Sequence, residues 1–486
     1  MTLLRDVRIV PVREPAPDVP VDVRMTGGRV TAVGTLAPER DEVIDGGGRW
    51  LIPGLWDQHV HLRQWAQARL RLDVSGATDV GEAVRLVRAH VDARPPGGAV
   101  VVGAGFRCAT WAVRPTTADL DVVGVPTILI SGDVHSGWMN TAAQRWLGLP
   151  ERAGVVDENE WFSLVPRLEA LLAADLDEAY RLAVRAAAAL GVVGIADMEF
   201  EAGFREWPRR FAAGVDAVRV RPATYAEGLE DVIAAGLSSR DPLGGLVTMG
   251  PLKIISDGSL NSLTARCCEP YADGRLGIQN YPYDELVRLL GRAASHGLDV
   301  ALHAIGDAAL TTALDAFEAT GARGGVEHVQ LARFEEFDRM ARLGLRASVQ
   351  PAHLLDDRDV AARIWPDRAD RCYAFGSMLA AGVPLALGSD APVSPLDPWL
   401  AMAAAVHRSA DEREPWLPSE SLGASDALAA SVDGAGTVAV GSVADLALLD
   451  ANPLAPGDSA TVAARLRGMR VAATFVGGRP THGAHQ

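Results

Sequence analysis

The chain predicts an α/β protein: a (β/α)8 TIM-type barrel, a small β-sandwich domain contributed by both termini, and an insertion after the first barrel strand. Three observations predict it. Short apolar strands alternate with amphipathic helices through the middle of the chain, both ends are β-rich, and the first two middle strands lie too far apart for one connecting helix. The implied boundaries are residues 1–52 and 436–486 for the two parts of the sandwich and 53–435 for the barrel, with about 65–185 inserted.

At the N-terminus Val21-Asp22-Val23-Arg24 alternates, turns at Gly27-Gly28, and continues as Arg29-Val30-Thr31-Ala32-Val33. That is a hairpin pattern. Eight middle strands follow: Leu51–Trp56, Val193–Met198, Val218–Ala223, Leu252–Ile255, Leu298–Leu302, Gly325–Glu327, Arg346–Val349 and Leu385–Leu387. Helices such as Asp177–Leu190 and Asp284–His296 separate them. Long insertions in such barrels often shape the substrate pocket. The C-terminal strands Ala444–Leu449 and Val471–Val476, the latter turning at Gly477-Gly478, return to the style of the N-terminus.

Composition excludes several classes. The 486 residues suffice for a large core, and 48% are hydrophobic against 22% charged. A net charge of −16 argues against nucleic-acid and anionic-membrane partners, both of which need a basic face. No apolar run reaches membrane-span length, and the first residues have no signal-peptide core. Four cysteines without C-x-x-C spacing read as reduced thiols in a cytoplasmic protein. A small-molecule substrate is the expected partner, and a homodimer is the default assembly.

Lys253 is the only lysine, so the other 45 of the 46 basic residues are arginine. A buried lysine can become neutral, which a guanidinium cannot. Four predicted strand tips add ligand-type residues: His59 and His61 after the first, then His303, His328 and Asp390. Strand alternation turns positions i and i+2 to one side, so His59 and His61 can reach one ion. The C-terminal end of a barrel is where active sites lie. Taken singly, each residue has a structural reading, such as a satisfied core histidine or, for Gly-Ser-Asp-Ala-Pro, a helix cap. Their shared position makes the joint pattern a metal site.

These residues sit in runs that resemble the amidohydrolase superfamily, and within it amidohydrolase family 3, the branch of N-substituted formamide deformylases. The runs are Pro53–His61, Leu252–Leu260, His303–Asp307, Glu327-His328, Gln350–His353 and Gly388–Val393, together with Gly132–Asn140 and Ser442–Leu446. The resemblance spans nearly the whole chain. It implies a binuclear site in which His59, His61 and Asp390 hold one divalent metal and His303 and His328 the other. Lys253, carboxylated on its amine, would bridge them. Imidazole and carboxylate donors suit zinc. The implied activity is hydrolysis of a C–N bond, the amide of an N-acyl or N-formyl amine, by hydroxide on the metal with Asp390 as general base and acid.

Three alternatives stay open. One metal held by His59, His61, His303 and Asp390 would leave His328 to contact substrate. The site would also suit a deaminase or cyclic amidase, and a catalytically silent metal-binding protein is the reading from another class. His135 and Trp138 on the insertion and His353 after the seventh strand are candidate substrate contacts, while Asp57 and Asp307 read as loop-fixing groups. Leu263 stands where the related branch carries arginine, which puts any anion contact at that place in doubt.

Overall fold

In the computed structural model the described residues are 1–93, 100–106, 108, 111–131, 136–157, 160, 161, 163, 164, 167, 168, 176–260 and 263–483. The chain divides into two compact units, Met1–Leu62 with Val184–Gln486, and Arg63–Ala183.

The larger unit holds eight core strands in chain order: Leu55–Val60, Val192–Asp197, Arg219–Pro222, Leu252–Ile255, Val300–Ala304, Gly324–His328, Arg346–Val349 and Leu385–Leu387. The first three pair in parallel in one five-stranded sheet, completed by Pro242–Gly244 and Val247–Thr248. The last five form a second, wholly parallel sheet. Single parallel bridges connect the two sheets on both sides, Thr224 with Leu252 and Val60 with Ala391. Parallel strands need a crossover connection, and helices supply it. In Tyr283–Ala294 the buried residues are Leu286, Leu289, Leu290 and Ala293, one face of a 3.6-residue period. Asp397 caps Pro398–His407 by accepting from the amides of Trp399 and Leu400, with Pro398 in the first turn where it loses no bond.

The first predicted strand is two strands in the structure. Trp50–Pro53 pairs with Leu446–Leu449 in an eight-stranded sheet that takes strands from both ends of the chain. Leu55–Val60 then starts the core. The break falls at Gly54, where an added Cβ would lie 2.2 Å from the Val193 side chain, so only glycine lets the chain pass that close. Val300–Ala304 also begins and ends two residues later than the sequence pattern suggested, which places His303 inside the strand.

The smaller unit has its own five-stranded sheet, from Leu72–Asp73 to Val156–Asp157. One of its apolar clusters gathers Val74, Val87, Phe106, Leu129 and Trp138. Among the described residues no helix is long and apolar enough to cross a membrane.

Candidate metal centre

Asp57 organises the tips of the first and last core strands. Its Oδ1 accepts from the His59 amide at 3.1 Å and from the Ser389 amide at 2.9 Å. Burial pushes its pKa up to about 6, against those same hydrogen bonds, which hold it down. Gly388 permits the approach, since a Cβ there would stand 2.8 Å from the His59 nitrogen. The Asp390 amide then donates to the His59 carbonyl at 2.7 Å. Asp390 has φ +55° and His328 φ +72°, left-handed conformations that non-glycine residues rarely hold. Such strain costs on the order of 1–3 kcal/mol and gathers at functional sites.

The histidines are set in definite tautomers by their neighbours. His59 Nδ1 donates to Glu327 Oε2 at 2.6 Å. Its Nε2 therefore carries the lone pair, 3.5 Å from Lys253 Nζ and 3.5 Å from Asp390 Oδ1. His328 Nδ1 donates to Gln350 Oε1 at 2.7 Å, which likewise leaves Nε2 with its lone pair. Ligand atoms of His59, His328 and Asp390 all lie within 4.8 Å of one another. His61 Nε2 is 3.5 Å from Asp390 Oδ1. His303 packs 4.5 Å from the His328 ring, with Nε2 at 3.3 Å from both Asp257 Oδ1 and the Gly258 carbonyl.

The six ligand-type residues thus approach one another at the ends of the core strands. The tightest set takes His59 and Asp390 from one anticipated trio and His328 from the other pair. The seventh strand adds His353, whose ring lies 6.5 Å from His328 and whose Nε2 is 4.0 Å from Asp390 Oδ2.

Burial sets the electrostatics. It drives His59 and His328 well below the usual imidazole range and His61 down to about 3, with the charge of Lys253 adding to each. It lowers His353 in the same way. Burial also lowers Lys253, opposed by Glu327 and Asp390, and it raises Asp390 to about 7, opposed by Lys253. Neutral imidazoles keep the lone pairs that a metal needs. His61 Nδ1, Glu327 Oε1 and His353 Nε2 are buried polar atoms with no hydrogen-bond partner. Convergent nitrogen and oxygen donors, tautomers locked from behind, and unsatisfied polar atoms together fit a divalent cation.

Glu327 and Gln350 are the functional residues that sequence reasoning did not single out, although both stand in the quoted runs. Replacing Glu327 by glutamine removes the anion that orients His59. The expected result is about 10- to 100-fold weaker metal binding. A chelator-competition titration reads it, and unchanged affinity would show that His59 is held without the carboxylate.

Trp138 is fully buried among Phe106 and Trp111, its indole N–H donating to the Thr116 carbonyl at 2.7 Å. That is a core placement within the smaller unit. His135 lies outside the described residues. Asp307 fixes a loop, as its sequence context suggested, accepting from the Cys268 amide at 2.8 Å and pairing with Arg371 at 3.3 Å.

A site of this kind belongs with metal-assisted hydrolases, and comparison agrees. The model of the amidohydrolase family matches residues 42–482, so the chain belongs to that family and is a hydrolase. It is 28% identical to N-substituted formamide deformylase of Arthrobacter pascens, over 98% of each chain. It is 27% identical to protein LONG AFTER FAR-RED 3 of Arabidopsis thaliana, covering 93% of this chain and 86% of that one. Among solved structures, an uncharacterized metal-dependent hydrolase from Pyrococcus furiosus superposes with a TM-score of 0.78 at 27% identity, covering 93% of this chain and 99% of the other.

Proposed function

We propose that the chain hydrolyses a C–N bond, the amide of an N-acyl or N-formyl amine, at a divalent metal centre for which zinc is the fitting ion. The observation that carries this reading is the convergence of His59 and His328, each bonded away through Nδ1, on Asp390 and the buried Lys253 amine. The name of the Arthrobacter relative supports the amide class. The eight parallel core strands of the two sheets and the bridges between them are read as one closed (β/α)8 barrel, with these residues at its C-terminal strand ends.

His59, His61, Asp390, His303 and His328 would hold two ions, with Lys253 carboxylated by carbon dioxide as the bridge. Carboxylation needs a neutral amine, and burial favours that form of Lys253. When bound, divalent metals polarise a scissile carbonyl and make water nucleophilic near neutral pH. Asp390 takes the proton of the attacking water on a carboxylate oxygen and delivers it to the departing nitrogen. His353, close to Asp390 and with Nε2 unpartnered, is placed to donate to the substrate oxygen. The second reading is a single ion on His59, His328 and Asp390, favoured by the closeness of those three groups.

The test is a panel of formamides, N-acyl amino acids, hydantoins and aminopurines, with released amine or ammonia identified and metal counted per chain. Turnover of open-chain amides that is lost on chelation and restored by zinc is expected. Amidase activity that survives complete metal removal would overturn the proposal. Turnover confined to the ring substrates would move the assignment to a cyclic amidase or deaminase.

A further inference from the structure

The proposed chemistry leaves Phe200 unused. It stands three residues beyond the second core strand and is 61% exposed. Its ring nevertheless stacks on two others: His61 at 5.6 Å and 22°, and Tyr225 at 4.7 Å and 26°. Tyr225 lies three residues beyond the third core strand, anchored by its hydroxyl, which donates to the Met198 carbonyl at 2.7 Å. The Phe200 amide is tied to Glu199 Oε1 at 3.2 Å. Two strand ends therefore hold an aromatic pair against a candidate metal ligand.

A scattered exposed aromatic is ordinary on a protein surface. This one differs because its position is set by stacking on the partly buried imidazole of His61, so its open apolar area borders the place where bonds are broken. Asp197 and Glu199 are buried on the same strand tip, and Asp390 lies 3.5 Å from the imidazole on which Phe200 stacks. A flat aromatic group on the substrate would gain ring contact with Phe200 there.

We propose that Phe200, backed by Tyr225, is the specificity wall of the site and receives an aromatic group carried by the substrate next to the scissile bond. The proposal rests on the amide-hydrolase reading for its substrates, and its test separates the two.

Zinc-loaded wild type and Phe200→Ala are compared on acetanilide, N-methylbenzamide, N-methylacetamide and N-acetylglycine. The wild type is expected to favour one of the two aryl amides over N-methylacetamide and N-acetylglycine. In Phe200→Ala the ratio of kcat/KM for that aryl amide to N-methylacetamide falls about tenfold, chiefly through KM. Phe200→Tyr keeps the ratio, and metal content is the same in all three proteins. In parallel, calorimetry follows acetophenone, an aryl ketone that cannot be hydrolysed, whose affinity is expected to fall by a similar factor in Phe200→Ala. If amides turn over with unchanged selectivity in the variant, or metal is lost with it, Phe200 merely supports His61 and the wall is wrong. If no amide turns over but acetophenone still distinguishes the two proteins, the amidase reading fails and the wall stands. Acetophenone binding equally to both removes the wall.

Discussion

Lys253→Arg is expected to abolish turnover, lowering kcat/KM by about three orders of magnitude or more, near 4 kcal/mol of transition-state stabilisation. Arginine is what this chain uses at every other basic position, so the swap is as mild as its composition allows. The site makes it severe. Lys253 is 1% exposed, with Nζ 3.5 Å from His59 Nε2, and the nearby carboxylates belong to Glu327 and Asp390. A guanidinium stays charged there and cannot be carboxylated, so it would repel any cation the histidines collect. Lys253→Glu supplies a negative oxygen donor at the same place and is expected to recover part of the activity. Steady-state rates with metal counted per chain decide the matter. An arginine variant with full metal and normal rates would remove the bridge and leave the single-ion arrangement.

The second large effect is expected from Asp390→Asn. An amide oxygen can still face a cation, but it neither accepts nor releases the proton that hydrolysis moves. General acid–base groups contribute roughly 10²–10⁴-fold, and Asp390 combines both roles, so kcat should fall by about 10³ at saturating zinc. Saturating metal separates this loss from weaker binding. The variant also leaves the Asp57 contacts to His59 and Ser389 in place, because those run through backbone amides. A rate within tenfold of wild type would assign the proton to another group, with His353 the nearest alternative.

Much of the site was legible because strand tips are local features. His59 and His61 close an apolar run, His303, His328 and Asp390 close three others, and a solitary lysine is visible by counting. The partners behind them were not legible, for a geometric reason. Glu327 and His328 are neighbours, and simple alternation would turn them to opposite faces. The φ of +72° at His328 breaks that alternation, so Glu327 reaches His59 while His328 still meets the other donors. No sequence period reports such a kink. The division at Gly54 was hidden similarly, since Leu51 to Trp56 reads as one apolar run until the Val193 side chain is seen to occupy the space of a Cβ. Phe200 carries no motif at all, and only its stacking on His61 gives it meaning.

The Asp57 clamp has a consequence for biosynthesis. Its two backbone partners include one 332 residues further along the chain. A nascent chain that has released His59 and His61 from the ribosome still lacks Ser389 and Asp390, at about 5–20 residues per second a delay of tens of seconds. Closing so long a loop is among the late, slow events of folding. During that delay His59 and His61 lack the residues that the proposed centre would add to them. Under the proposed metal centre, the complete ligand set would therefore assemble late in folding, after Ser389 and Asp390 have joined the clamp.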